Sequence, residues 1–144
     1  MDFFTAMTVS SSALTAERTR INLISGNLAN ANSTRTAAGG PYKRKDAVFA
    51  ATPMTDPFAV ELNKAGRALN KVDVTSIIED TTPPRIQYDP SHPDADPQGY
   101  VAMPNVNVIE EMADMIIATR TYEANVTAAQ AAKSMAMKTL ELGR

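Results

Sequence analysis

The sequence predicts a mainly α chain with a small β insertion: two long terminal helices pairing as a coiled-coil-like element, and short antiparallel strands between them. Three observations carry this. Apolar residues near the N-terminus recur every seven positions, residues 106–142 contain neither glycine nor proline, and the segment between is rich in β-branched and aromatic residues punctuated by Pro, Gly and Asp.

The first helix is expected over residues 2–30. Met7, Leu14, Ile21 and Leu28 lie on one heptad line, with Phe3, Phe4, Ile24 and Ala31 beside it. Ser10 and Glu17 occupy seam positions where a strong dimeric coiled coil would carry leucine, so this helix is marginal alone and needs partners. It runs out in "SGNLANANSTRT", residues 25–36, where Asn27, Asn30 and Asn32 alternate with small residues. A helix end buried against other subunits must satisfy its last carbonyls without water. Asparagine brings a donor and an acceptor and tolerates the left-handed C-cap conformation. A plain exposed cap is the alternative reading.

Four short strands follow, in "YKRKDAVFAATP" (42–53), "KVDVTSIIED" (71–80), "PRIQYDP" (84–90) and "GYVAMP" (99–104). Residues 56–70 are ambiguous between a short helix and a loop, and residues 89–99 are turn-rich and exposed. The second helix, 106–142, makes a rod of roughly 50 to 55 Å at about 1.5 Å per residue. Pro104 blocks backward extension, and Asn107 with Glu110 offers a capping box. Glu110, Glu111 and Asp114 open the helix while Lys133, Lys138 and Arg144 lie towards its end, the order that suits the macrodipole. Val108, Met112, Met115, Thr119, Tyr122, Val126, Ala129, Ala136 and Leu140 follow steps of three and four, widened by Ile109, Ile116 and Met137. Tyr122 reads as an interface anchor and the methionines as packing residues.

At 144 residues the chain has room for one domain or an elongated equivalent. We divide it into 1–36 (N-terminal helix and Asn-rich stretch), 37–103 (β-containing middle) and 104–144 (C-terminal helix), with 1–36 and 104–144 forming one helical domain. There is no Cys and no Trp, which removes disulfides, thiolate metal sites and cysteine nucleophiles. The opening "MDFFTAMTVSSS" lacks a signal-peptide pattern, and no stretch is apolar enough to span a bilayer, so the expectation is a soluble chain outside the general secretory route. A net charge of −2 argues against nucleic-acid binding. Residues 1–72 carry nine Lys/Arg against five Asp/Glu and residues 73–144 carry five against eleven, an asymmetry suited to head-to-tail contacts unless the charges interleave on one folded surface.

No site for chemistry emerges. His92 lies among Asp89, Asp94 and Asp96, but these aspartates read as turn acceptors. "DADPQG" fails as a calcium loop because Asn105 stands where the twelfth-position Glu belongs. "YKRKD" (42–46) is a basic cluster of the sort common at strand ends. There is no phosphate loop, HExxH, GxSxG or Ser/His/Asp order, so the expectation is no catalytic residue, no cofactor, no metal and no small-molecule substrate.

Two long apolar helices around a small β unit leave surface uncovered, and self-assembly side by side is the economical remedy. At this point the resemblance becomes specific. "SGNLANANSTRT" resembles the N-terminal signature of the axial proteins of the bacterial flagellum, and "GYVAMPNVNVIEEMADMIIATRTYEANVTAAQAAKSMAMKTLELG" is similar to their C-terminal one. "YKRKDAVFAA" and "YDPSHPDADPQGYV" resemble the proximal-rod members. The resemblance implies a structural subunit of the basal-body rod, exported by the flagellar type III apparatus without a cleaved signal peptide. It would assemble with copies of itself and other rod and basal-body proteins into the periplasmic shaft that transmits torque for motility. The terminal helices would form an inner tube, the middle segment an outer region. The matching positions are Asn27, Leu28, Ala29 and Asn30, then Pro104, Asn105, Val106, Asn107, Glu111, Met112, Tyr122, Glu123 and Asn125. With Met7, Leu14, Ile21, Met115 and Val126 from the apolar stripes, these are the expected assembly interface. The competing readings are a soluble coiled-coil adaptor or chaperone, and an enzyme seated in the β segment.

Overall fold

A computed structural model describes residues 3–54 and 70–142. In chain order these form helix α1 (Phe3–Ala29), strands β1 (Lys45–Pro53), β2 (Asn70–Glu79), β3 (Arg85–Tyr88) and β4 (Tyr100–Met103), and helix α2 (Val108–Leu142). Two long helices thus flank two small antiparallel sheets, β1 with β2 and β3 with β4. The expected elements are all present, while the ambiguous stretch 56–70 lies outside the described residues up to Asn70, which opens β2.

By its contacts the chain divides into two compact units, one taking residues 1–19, 48–76 and 119–144, the other 20–47 and 77–118. In the first, Ala16 and Ala132 are buried and the Val72 N–H donates to Ser12 Oγ at 3.1 Å. Thr75 Oγ1 donates to the Val48 carbonyl across the first sheet. Among the described residues this unit's buried positions hold only small side chains, the two alanines.

Among the described residues the second unit holds the larger buried set, which includes Ile24, Asn27, Ala31, Val101, Pro104, Val106, Glu111 and Ala118. Its hairpin pairs Arg85 with Met103, Ile86 with Ala102, Gln87 with Val101 and Tyr88 with Tyr100. Strand alternation turns Val101 inward while Tyr100 stays exposed. The Tyr88 and Tyr100 rings meet edge to face at 5.3 Å. Asp96 organises the connection, its Oδ1 accepting from the Gln98 and Tyr100 N–H groups, and Gly99 takes a φ of +86° that other residues avoid. Asp89 Oδ1 accepts from Ser91, and His92 Nδ1 accepts from the Asp94 N–H. Asp89 and Asp96 are therefore turn acceptors, as their spacing suggests, whereas the Asp94 carboxylate accepts from Thr34 Oγ1 at 2.8 Å and lies 3.9 Å from Arg35.

Two helix ends refine the sequence reading. Asn107 caps α2 through the Ile109 N–H at 3.1 Å, and the helix begins at Val108, two residues later than the apolar pattern suggests. At the end of α1 no left-handed cap forms: among the described residues no non-glycine residue has a positive φ. Asn30 instead folds its side chain back, Nδ2 donating to the Gly26 carbonyl at 2.9 Å, beside its own N–H to the same oxygen at 3.1 Å. The later carbonyls are met by backbone N–H groups, Ala31 donating to Leu28 at 3.3 Å and Ser33 to Asn30 at 3.0 Å, so the exit tightens into turns without a left-handed residue.

Candidate functional site

The end of α1, the start of β1 and the first turns of α2 meet around Asn27, which is 1% exposed. Its amide pairs with the backbone of Lys45 as a neighbouring strand would, Nδ2 donating to the Lys45 carbonyl at 2.9 Å and Oδ1 accepting from the Lys45 N–H at 2.9 Å. Nδ2 also donates to Glu111 Oε2 at 3.0 Å, and Oδ1 accepts from Tyr42 Oη at 3.0 Å. All four hydrogen-bonding capacities of the amide are used.

Glu111, also 1% exposed, is the charged centre. Arg44 Nε donates to its Oε1 at 2.6 Å, and the same guanidinium reaches Asp46 at 3.2 Å and Asp114 at 3.9 Å. A buried carboxylate is tolerated only when paired and hydrogen-bonded, and both conditions hold. Burial pushes the Arg44 pKa down, but the hydrogen bonds and charges of Glu111 and Asp46 together raise it, so the guanidinium stays charged. Burial, then the charges of Glu111 and Glu79, raise the Tyr42 phenol above its ordinary 10.0. Arg20 adds a 3.9 Å contact to Asp114. Going from Asn27 back to Arg20 moves the partner forward from Glu111 to Asp114, so the two helices run antiparallel here.

Chemically this arrangement is a clamp. Amide, carboxylate, guanidinium and phenol saturate one another, fixing three segments distant in sequence.

Of the expected interface residues, the fold brings Asn27 and Glu111 into contact and buries Pro104 and Val106 beneath the chain's own atoms. Leu14, Ile21, Leu28, Asn30, Met115, Tyr122, Asn125 and Val126 are half-buried. Met7, Ala29, Asn105, Asn107, Met112 and Glu123 are exposed. On α2 the buried line is Glu111, Ala118 and Ala132, whereas Ile109, Met112 and Ile116 lie outside at 79%, 52% and 59% exposure. Periodicity found the apolar stripe but could not say which side the chain itself covers. It also missed Tyr42, Arg44 and Lys45 as partners of Asn27 and Glu111. The "YKRKD" cluster is visible, yet two of its three basic groups pair within the chain, Arg44 with buried Glu111 and Lys45, at the surface, with Glu79.

Comparison with known proteins fits this geometry. Residues 7–35 match the flagella basal body rod protein family, and residues 98–142 match the flagellar basal body rod FlgEFG protein C-terminal family. These segments contain both sides of the Asn27–Glu111 contact. Flagellar basal-body rod protein FlgC of Borreliella burgdorferi is 44% identical over 143 residues, covering 94% of this chain and 93% of that protein. FlgC of Bacillus subtilis is 43% identical over the full length of both, and FlgC of Salmonella typhimurium 40% identical over 94% of each.

Proposed function

The chain belongs to the flagellar basal-body rod protein FlgC family, and from that premise we propose that it is a structural subunit of the basal-body rod whose terminal helices carry its assembly contacts. One observation supports this reading above the others. On α2 the large apolar residues Ile109, Met112, Ile116, Met135, Leu140 and Leu142 are each more than half exposed, while the buried positions hold alanine and a clamped carboxylate. Apolar surface in this quantity marks a protein contact.

The clamp supports the same role differently. A subunit that passes torque must hold its own helix junction rigid, and a saturated polar network resists shear because every displaced group loses a partner. The helical domain (1–36 with 104–144) would build the inner shaft, the middle segment its outer surface. Exposed members of the interface, Met7, Met112, Asn105 and Glu123 among them, would face neighbouring copies and other rod proteins. Buried members such as Asn27 and Pro104 would act by shaping that surface. Passage through the flagellar export apparatus and a place in the periplasm belong to the same proposal.

Light scattering of the purified full chain against concentration tests it. Continued growth in mass without a plateau is expected of a subunit that adds along a helical path. A plateau at a closed dimer or trimer would point to the coiled-coil adaptor reading instead.

A further inference from the structure

The chain has no Cys and no Trp, so a mild two-electron oxidant meets its thioethers first. Met112, Met135 and Met137 on α2 are each more than half exposed, whereas Met103 and Met115 are half-buried. The three open sulfurs have different surroundings. Residues three and four positions away share a helix face, and for Met112 these are Val108, Ile109, Met115 and Ile116, all apolar. For Met135 they include Lys138 and Thr139, and for Met137 they include Lys133, Ser134 and Glu141. A polar group gained at Met135 or Met137 joins polar neighbours. One gained at Met112 interrupts a continuous apolar patch.

We propose that Met112 is a modification site: oxidation of its thioether by a peroxide, in the free chain, withdraws the subunit from assembly without unfolding it. A sulfur lone pair attacks hydrogen peroxide, the O–O bond breaks and an S–O bond forms. The thioether is oxidised to the sulfoxide and the peroxide is reduced, its second oxygen leaving as water with both protons. The product is a polar group that needs hydrogen bonds, which an apolar contact cannot supply. In the free chain Met112 is open to water, so the sulfoxide is solvated and the fold is undisturbed. Covered by a neighbour, the same group loses its water and the contact is refused. This inference rests on the reading that the outward side of α2 carries assembly contacts.

The test treats the full chain with hydrogen peroxide until oxidation is partial, concentrates it, and separates assembled from unassembled material by centrifugation. Peptide mass spectrometry then places the added oxygen in each fraction. Met112 should be oxidised ahead of Met103 and Met115, and its sulfoxide should be enriched in the unassembled fraction, while Met135 and Met137 sulfoxides divide evenly. Met112→Gln, which puts a polar group of similar size there permanently, should lose concentration-dependent growth with its melting midpoint unshifted. Even division of Met112 sulfoxide between the fractions, or growth of Met112→Gln equal to wild type, overturns the proposal. An untreated chain that never grows refutes the assembly reading, and the modification site is then judged by the oxygen map alone: Met112 ahead of Met103 and Met115 upholds it, and the reverse order overturns it.

Discussion

At the scale of single residues the clamp makes sharp demands. Asn27→Ala strips partners from the Lys45 N–H and carbonyl and from Glu111 Oε2 together. With unsatisfied buried groups costing about 1–3 kcal/mol each and water re-entering part of the gap, we expect a loss of about 3 kcal/mol, read from urea midpoints. Arg44→Leu leaves the Glu111 charge buried and unpaired and should cost about 3–5 kcal/mol, with Arg44→Lys retaining the charge but not the planar fork and falling between. Tyr42 gives the clamp a pH signature. Its proton is held more tightly in the folded chain than in the unfolded one, so the stabilisation is complete below pH 10.0 and fades as pH rises through the higher folded value. Thermal melts should show an alkaline decline that Tyr42→Phe reduces, at a loss of about 1 kcal/mol near neutrality for the missing hydrogen bond.

At the scale of elements the β3–β4 hairpin is the most constrained piece. Gly99 combines a φ of +86° with a close approach: an added Cβ would lie 2.9 Å from the Tyr88 ring and 3.2 Å from Pro90 Cβ. Gly99→Ala should therefore destabilise the hairpin by about 2 kcal/mol, seen as faster hydrogen exchange at Val101 and Met103. The elements themselves were largely readable in the sequence, because heptad spacing and the Pro, Gly and Asp boundaries are local signals. The helix exit was half readable: three asparagines announced that carbonyls needed partners, but whether backbone or side chain would supply them depends on torsions that composition does not encode. Backbone N–H groups of Ala31 and Ser33 supply them at Leu28 and Asn30, and the Asn30 side chain only adds a second donor to Gly26. The clamp was less legible still. Asn27 stands out in the asparagine run and Glu111 among the acids that open α2, yet they lie 84 residues apart, and nothing local says that an amide will pair with Lys45 or that Arg44 will turn inward.

At the scale of the whole molecule, the expected interface list mixes two kinds of residue. Pro104 and Val106 serve the chain's own packing, whereas Ile109, Met112 and Ile116 lie on the outward side of α2. A sequence pattern records which positions avoid water in the working state and is silent on whose atoms exclude it. The two are separable by mutation. Ile109→Glu with Ile116→Glu should leave the melting midpoint within about 2 °C of wild type, since exposed sites contribute little to folding, yet abolish concentration-dependent growth in light scattering.

The most direct measurement is electron cryotomography of cells from which the gene is deleted and then restored in wild-type or Ile109→Glu, Ile116→Glu form. The account predicts that the deletion strain builds no rod and does not swim, that the wild-type copy restores both, and that the double variant accumulates as folded protein without restoring either. Intact rods in the deletion strain, or in cells carrying only the double variant, would contradict it.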